Sequence, residues 1–167
     1  IREVIKNNFL DNILVSKDIS MLVFFLIKMG YSNIYIEKIL KRLEEFQNKD
    51  GGWDSNLSLS NKSSDIFSTL IVFRTFLSNN LWINKKFLLK AENFLIANHL
   101  SKSNNNEDID RWGRLYSGYK INNLFEGGTL LLLDSLLTLK SDSGALKIKS
   151  IINWLKGLQL ESGYFPY

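Results

Sequence analysis

One local pattern recurs along this chain and constrains its fold more than any other feature. Residues 41–53 read as a helix tail ending at Gln47, a short polar spacer, then Gly51, Gly52 and Trp53. Residues 153–165 repeat it with Gln159, Gly163 and Phe165. Between them, residues 90–99 form a third copy in which His99 takes the Gln position and Trp112 and Gly113 follow after a polar insert. The anchors Gln47, His99 and Gln159 stand 52 and 60 residues apart, a spacing that suits one helical hairpin per repeat.

The stretches around each anchor alternate in character. Residues 19–27 are apolar almost all round, whereas Ile36, Ile39, Leu40 and Leu43 recur at i, i+3, i+4 and i+7 among Glu37, Lys38, Lys41 and Arg42. The first pattern predicts a helix buried on every side, the second a helix with one wet face. The same pair returns as residues 66–77 with 85–99, and as residues 130–139 with 146–158, where Lys147, Lys149 and Lys156 mark the polar face. The sequence therefore predicts an all-α, two-layer array of about three hairpins with inner helices at 19–29, 66–77 and 130–139. A further helix over residues 2–14 is expected as a cap on the first hairpin or the remnant of a preceding repeat. Phe24, Phe73, Leu132 and Leu136 are the expected core. Trp53, Trp154 and Phe165 are expected at repeat corners, where truncation of Trp154 to Ala would cost about 3–5 kcal/mol.

Turn chemistry fits these boundaries. Gly30, Gly144 and the Gly51 and Gly52 pair punctuate the periodic stretches, and Asn33 and Ser143 are good N-caps for outer helices. Asn79 and Asn80 can end the second inner helix, although Leu81, Trp82 and Ile83 are apolar enough to prolong it. The Gln of each repeat is expected to cap a carbonyl left open at a helix end and to reach the next repeat, with the aromatic sealing the corner.

A basic residue, a small residue, two positions, an aromatic, an aliphatic, three positions, Gln, a spacer, Gly, any residue and Trp: this order resembles the QW repeat of squalene-hopene and oxidosqualene cyclases and of relatives with the prenyltransferase/squalene oxidase repeat. Lys90, Ala91, Phe94 and Leu95 match with His99 for Gln; Trp154, Leu155, Gln159 and Gly163 match with Phe165 for Trp; Gln47, Gly51 and Trp53 match with Arg42 at the aromatic position. Residues 111–114, Arg-Trp-Gly-Arg, followed by residues 121–129, are similar to a further segment of those cyclases. The resemblance covers residues 18–167 and implies an α/α-toroid-like domain with repeats near 18–53, 64–113 and 124–167. A closed toroid takes about twice as many hairpins. Three would leave an open crescent, and with Ile1 in place of a starting Met the expectation is of a fragment, a trimmed product or an oligomer.

The resemblance also says where to look for chemistry. The cyclases protonate their substrate with the middle Asp of an Asp-X-Asp-Asp-Thr-type motif, and the matching stretch here is Asp65, Ile66, Phe67, Ser68 and Thr69. Phe67 stands at the donor position, and a phenyl ring cannot replace a carboxylic acid. Asp65 and Glu126 are the remaining candidate acids, with Asp18 at the same place in the first repeat. Acids at three inner-helix starts are also what capping alone gives. The protein prenyltransferases hold zinc with Asp, Cys and His; with no cysteine and His99 as the single histidine, that site cannot form in that form. No metal and no cofactor is implied. His99 itself reads as a capping or packing residue.

The polar insert at 101–110 reads as a solvated loop, and its Asp108 and Asp110 as ordinary loop charges. Beyond it, Arg111, Arg114 and Lys120 lie among Trp112, Tyr116, Tyr119 and Phe125. With Trp53 these aromatics can line a surface near the inner-helix N-termini, the cations holding an anionic head and the rings an apolar tail. The simpler explanation is that the same rings pack the long loop onto the third hairpin.

Composition narrows the partners. The net charge of +4 is mild and the basic residues are scattered, which argues against nucleic acid. With 45% hydrophobic residues over 167 positions the chain can bury a core as one domain. Without cysteine, a signal peptide or a long apolar run, the expectation is a cytoplasmic protein with peripheral membrane contact left open. Two classes of function follow: an isoprenoid-handling enzyme or enzyme fragment using Asp65 or Glu126, or a non-catalytic module binding an isoprenoid or other apolar small molecule, a peptide, the missing half of a toroid, or a second copy of itself.

Overall fold

The computed structural model describes residues 15–31, 34–57, 63–83, 86–99, 128–158 and 161. The protein is all-α. Among the described residues there are six helices, α1 (Ser16–Lys28), α2 (Ile34–Glu45), α3 (Ile66–Leu77), α4 (Lys86–Asn98), α5 (Gly128–Leu139) and α6 (Asp142–Leu158). The chain divides into two compact units, Ile1–Leu95 and Ile96–Tyr167.

In the first unit α1 packs on α3 and α2 on α1. The inner pair starts from one place, because residues 53–56 run across both N-termini: Val15 bridges to Asn56 and Trp53 to Asp65. The Ser16 N–H donates to the Ser55 carbonyl at 3.0 Å, and the Ser16 hydroxyl to that of Asp54 at 2.7 Å. These bonds do for α1 what a side-chain cap does elsewhere, since Val15 offers none. Farther along, Thr75 Oγ1 of α3 donates to the Ser20 carbonyl of α1 at 3.0 Å. Helix α1 closes with Gly30 at φ 79°, where the Gly30 and Tyr31 N–H groups return to the carbonyls of Ile27 and Leu26. This left-handed close needs a residue without a Cβ penalty.

The wet-faced helix α2 buries Ile36, Ile39, Leu40 and Leu43, the stripe read from its period. Helix α4 buries Leu88, Ala91, Glu92 and Leu95 at the same spacing. Around α3 an aromatic cluster fills the core: Phe76 lies 4.8 Å from Phe87, 5.3 Å from Trp82 and 6.0 Å from Trp53, centroid to centroid. The end of α3 falls at Leu77, and Asn79 is the reason. Its side-chain oxygen accepts the Leu81 N–H, and its carbonyl the Trp82 N–H, turning the chain so that Trp82 enters the core while Leu81 stays outside.

In the second unit α5 packs on α6, the two joined through Lys140, which sits at φ 57°. Thr129, Leu132, Ser135 and Leu136 of α5 and Ile151 of α6 are buried.

Several expectations need correction. Of the helices expected to be buried all round, α3 comes closest, but Phe25 of α1 is 49% exposed and Leu137 of α5 is 53% exposed. Phe73, Leu132 and Leu136 are buried as expected; Phe24 is only half-buried, with the Arg74 guanidinium 4.8 Å over its ring. An apolar helix beside one neighbour still has an outer side, and periodicity cannot reveal how many neighbours it has. Helix α6 starts four residues before 146 and is capped by Ser141, whose Oγ accepts the Gly144 N–H at 2.9 Å, so Ser143 and Gly144 lie inside the helix. Trp154 is half-buried and does not reach the burial of Trp53. The helix expected at 2–14, the N-cap Asn33, and Gln159, Gly163 and Phe165 of the last repeat lie outside the described residues.

Candidate functional site

The chemistry-bearing residues of the first unit converge on the corner between its hairpins. Helix α2 runs out at Glu45, and the backbone closes a tight loop in which the Asn48 N–H donates to the Gly52 carbonyl at 2.9 Å. The Gln47 side-chain amide donates to the Gly51 carbonyl at 2.8 Å and to the Phe87 carbonyl, in the first turn of α4, at 3.0 Å. The repeat's Gln thus ties its own loop to the next hairpin. Trp53 does the capping: its indole N–H donates to the Leu43 carbonyl at 2.6 Å, in the last turn of α2. Its ring stacks on Phe76 and meets Phe87 edge-on at 6.3 Å.

Both glycines at this corner are there for space. Gly51 has φ 95°, and a Cβ would collide with the Lys90 backbone carbonyl; at Gly52 it would meet Ser64 and Thr69. The chain passes too close to α4 and α3 for any side chain.

Asp65 is the N-cap of α3. Its carboxylate accepts the Ser68 N–H at 2.7 Å. Thr69 Oγ1 donates to the Asp65 carbonyl at 2.7 Å and accepts the Trp53 N–H at 2.8 Å. The stretch aligned with the cyclase acid motif is therefore a structural clasp joining Trp53 to the start of α3. Phe67, at the position aligned with the proton donor, is half-buried. Asp18 lies in the first turn of α1 and is exposed, adding charge without capping. At these two helix starts a carboxylate takes the Ser68 N–H and the Ser55 carbonyl takes the Ser16 N–H.

Trp53, expected to face a ligand, is 0% exposed. The indole needed as a corner seal has no face left for a bound molecule. Arg111, Trp112, Arg114, Tyr116, Tyr119, Lys120, Phe125 and Glu126 lie outside the described residues. No group of three or more His, Cys, Asp or Glu side chains among the described residues can hold a metal ion, and no helix among them is long and apolar enough to cross a membrane.

The second unit holds a joint of its own at His99. His99 Nε2 pairs with Thr129 Oγ1 at 3.1 Å, in the first turn of α5, and Lys147 Nζ approaches the His99 carbonyl at 3.5 Å. Burial first, and then the Lys147 ammonium, lowers the His99 pKa from 6.5 to about 4. Burial likewise lowers that of Lys147 below its ordinary 10.5. His99 is a neutral imidazole at pH 7, doing at a helix start what Gln47 does one repeat earlier.

Two carboxylates escaped the reading of the sequence. Glu37 accepts from Asn79 Nδ2 at 3.1 Å and from Trp82 Nε1 at 2.9 Å, clamping α2 to the end of α3. Glu92 is fully buried on the inner stripe of α4. The first had a signal, since a buried indole N–H requires an acceptor; the second had none beyond its i+4 spacing from Leu88.

Comparison with family models, curated proteins and solved structures gives no match to this chain. What the geometry itself defines is an all-α protein whose helices are tied at their ends by side-chain hydrogen bonds.

Proposed function

We propose that this chain is a hairpin-repeat protein of the α/α-toroid kind that holds an isoprenoid or similar apolar molecule without protonating it. The ligand class comes from the resemblance to the cyclase and prenyltransferase repeats. The choice of holding over turnover comes from Asp65, whose carboxylate is committed to the Ser68 N–H at 2.7 Å. There it serves as a hydrogen-bond acceptor holding a helix start, whereas polyene protonation demands a carboxylic acid that gives up its proton to the substrate. Arg111 and Arg114 with Trp112, Tyr116, Tyr119 and Phe125 remain the proposed ligand contacts, as cations for a head group and rings for a tail. A cytoplasmic protein with membrane-peripheral contact fits such a ligand.

Incubation with squalene or geranylgeranyl diphosphate should return unchanged substrate. Titration of tryptophan fluorescence with farnesyl diphosphate should show saturable binding that weakens in Arg114→Ala and Trp112→Phe. A cyclic product lost in Asp65→Asn would overturn the reading, as would the absence of any binding.

One observation favours a protein partner as the second reading. The α5 and α6 pair leaves Leu130, Leu137, Leu146 and Ile152 exposed, an apolar surface of the sort a further hairpin, the missing part of a toroid, a peptide or a second copy would cover. Light scattering across concentration, alone and with a peptide array, separates it from the first.

A further inference from the structure

The corner where α1 gives way to α2 is apolar on the outside. Phe25 of α1 and Met29, the C-cap one turn on, are 49% and 56% exposed, and Ile34, the first residue of α2, is 67% exposed. Tyr31 between them is exposed too. Single apolar side chains in water are ordinary, but four on the two sides of one turn are not. The hydrogen bonds of Gly30 and Tyr31 back into α1 fix its end and with it the backbone that carries Phe25, Met29 and Tyr31.

Among the described residues, the exposed charges on this tip are basic. Lys28 is exposed beside Phe25 and Met29, and its ammonium lies 5.6 Å from the Phe24 ring. Lys38 and Lys41 follow Ile34 on α2 at i+4 and i+7, hence on its face, and both are exposed. Arg74 reaches the same Phe24 ring from α3. The acid nearest in sequence, Glu37, has both carboxylate oxygens engaged by Asn79 and Trp82. Asp18 and Glu45 belong to the opposite ends of α1 and α2.

We propose that this corner is an interfacial anchor that seats the protein on a bilayer containing anionic phospholipid. Phe25, Met29 and Ile34 enter the boundary of the acyl chains, Tyr31 sits at headgroup depth, and Lys28, Lys38 and Lys41 meet the lipid phosphates. Lysine suits the position because its stem lies along apolar surface while its charge stays at the headgroups. The lysines also decide between a membrane and a second copy. Two such corners facing each other would bring like charges together, whereas an anionic surface attracts them all. The anchor does not rest on the isoprenoid reading, and either can fail alone.

The test is co-sedimentation of the whole chain with vesicles of phosphatidylcholine, and of phosphatidylcholine mixed with phosphatidylglycerol. Binding should be confined to the mixed vesicles and should fall as salt shortens the reach of the charges. The pair Phe25→Ser with Ile34→Ser should weaken it at least about tenfold, and Lys28→Gln or Lys38→Gln by roughly fivefold each. All four positions are exposed, so circular dichroism and the urea midpoint should stay at native values, separating loss of docking from loss of fold. Failure to sediment, equal binding to both kinds of vesicle, or undiminished binding of the double serine variant overturns the proposal. So does a dimer that forms with rising concentration, is lost in that variant and ignores vesicles, which would make the corner a self-association surface.

Discussion

Gly51 and Lys140 are conformational opposites. Both have positive φ, but glycine adopts it at no steric cost and lysine does not. Gly51→Ala should therefore lower stability by at least about 2 kcal/mol, since strain is joined by collision with the Lys90 carbonyl. Lys140→Gly should raise it by about 0.5–1 kcal/mol. Urea unfolding of the two variants checks both signs. Trp53 admits a finer dissection. Trp53→Phe keeps an aromatic ring near Phe76 and Phe87 but strands the Leu43 carbonyl, an expected loss of about 1–3 kcal/mol. Trp53→Ala should cost about 3–5 kcal/mol, and Trp154→Ala distinctly less because Trp154 is half-buried. Equal losses at the two tryptophans would contradict the burial described.

At the scale of the element, the helices were legible wherever one face is wet. Ile36, Ile39, Leu40 and Leu43 announce both the existence of α2 and the side it buries, because a 3.6-residue period has no other simple cause. Nearly uniform apolar stretches announce a helix but not its exposed side, which is why the period alone does not show that Phe24 is only half-buried or that Leu137 faces outward. The corner was half legible. The motif foretold that Gln47 would reach the following hairpin, but not that Trp53 would cap α2, since a hydrogen bond from an indole leaves no trace in residue spacing. The helix starts are testable in the same terms. Asp65→Ala should cost about 1 kcal/mol by removing the N-cap of α3, whereas Asp65→Asn should cost much less, because an amide oxygen still accepts the Ser68 N–H. Thermal unfolding that ranks Asn below Ala would argue against capping as its role.

For the molecule as a whole, one side chain governs the response to mild acid. His99 is the single histidine of the chain, and histidine is the side chain whose ordinary pKa falls between pH 5 and 8. Its folded pKa of about 4 lies below the 6.5 of the exposed group, so the unfolded chain binds the extra proton. Stability should be full above pH 6.5, decline as pH falls below it, and stop responding to this group below about pH 4. A urea midpoint that drops between pH 7 and pH 5 in the native chain, and stays level in His99→Gln, is the expected result. Glutamine is the residue other repeats carry at this place and can still pair with Thr129. A midpoint that is level in both would mean that His99 is protonated as readily folded as unfolded.

The clasp at Gln47 has a consequence in time. Its acceptor on Phe87 lies 40 residues farther along the chain, and at about 5–20 residues per second of synthesis that acceptor is made about 2–8 s after the amide that needs it. Until then the nascent first hairpin has a loose end, and its last bond closes only once the start of its successor has been translated. In a protein assembled this way, each hairpin finishes the one made before it.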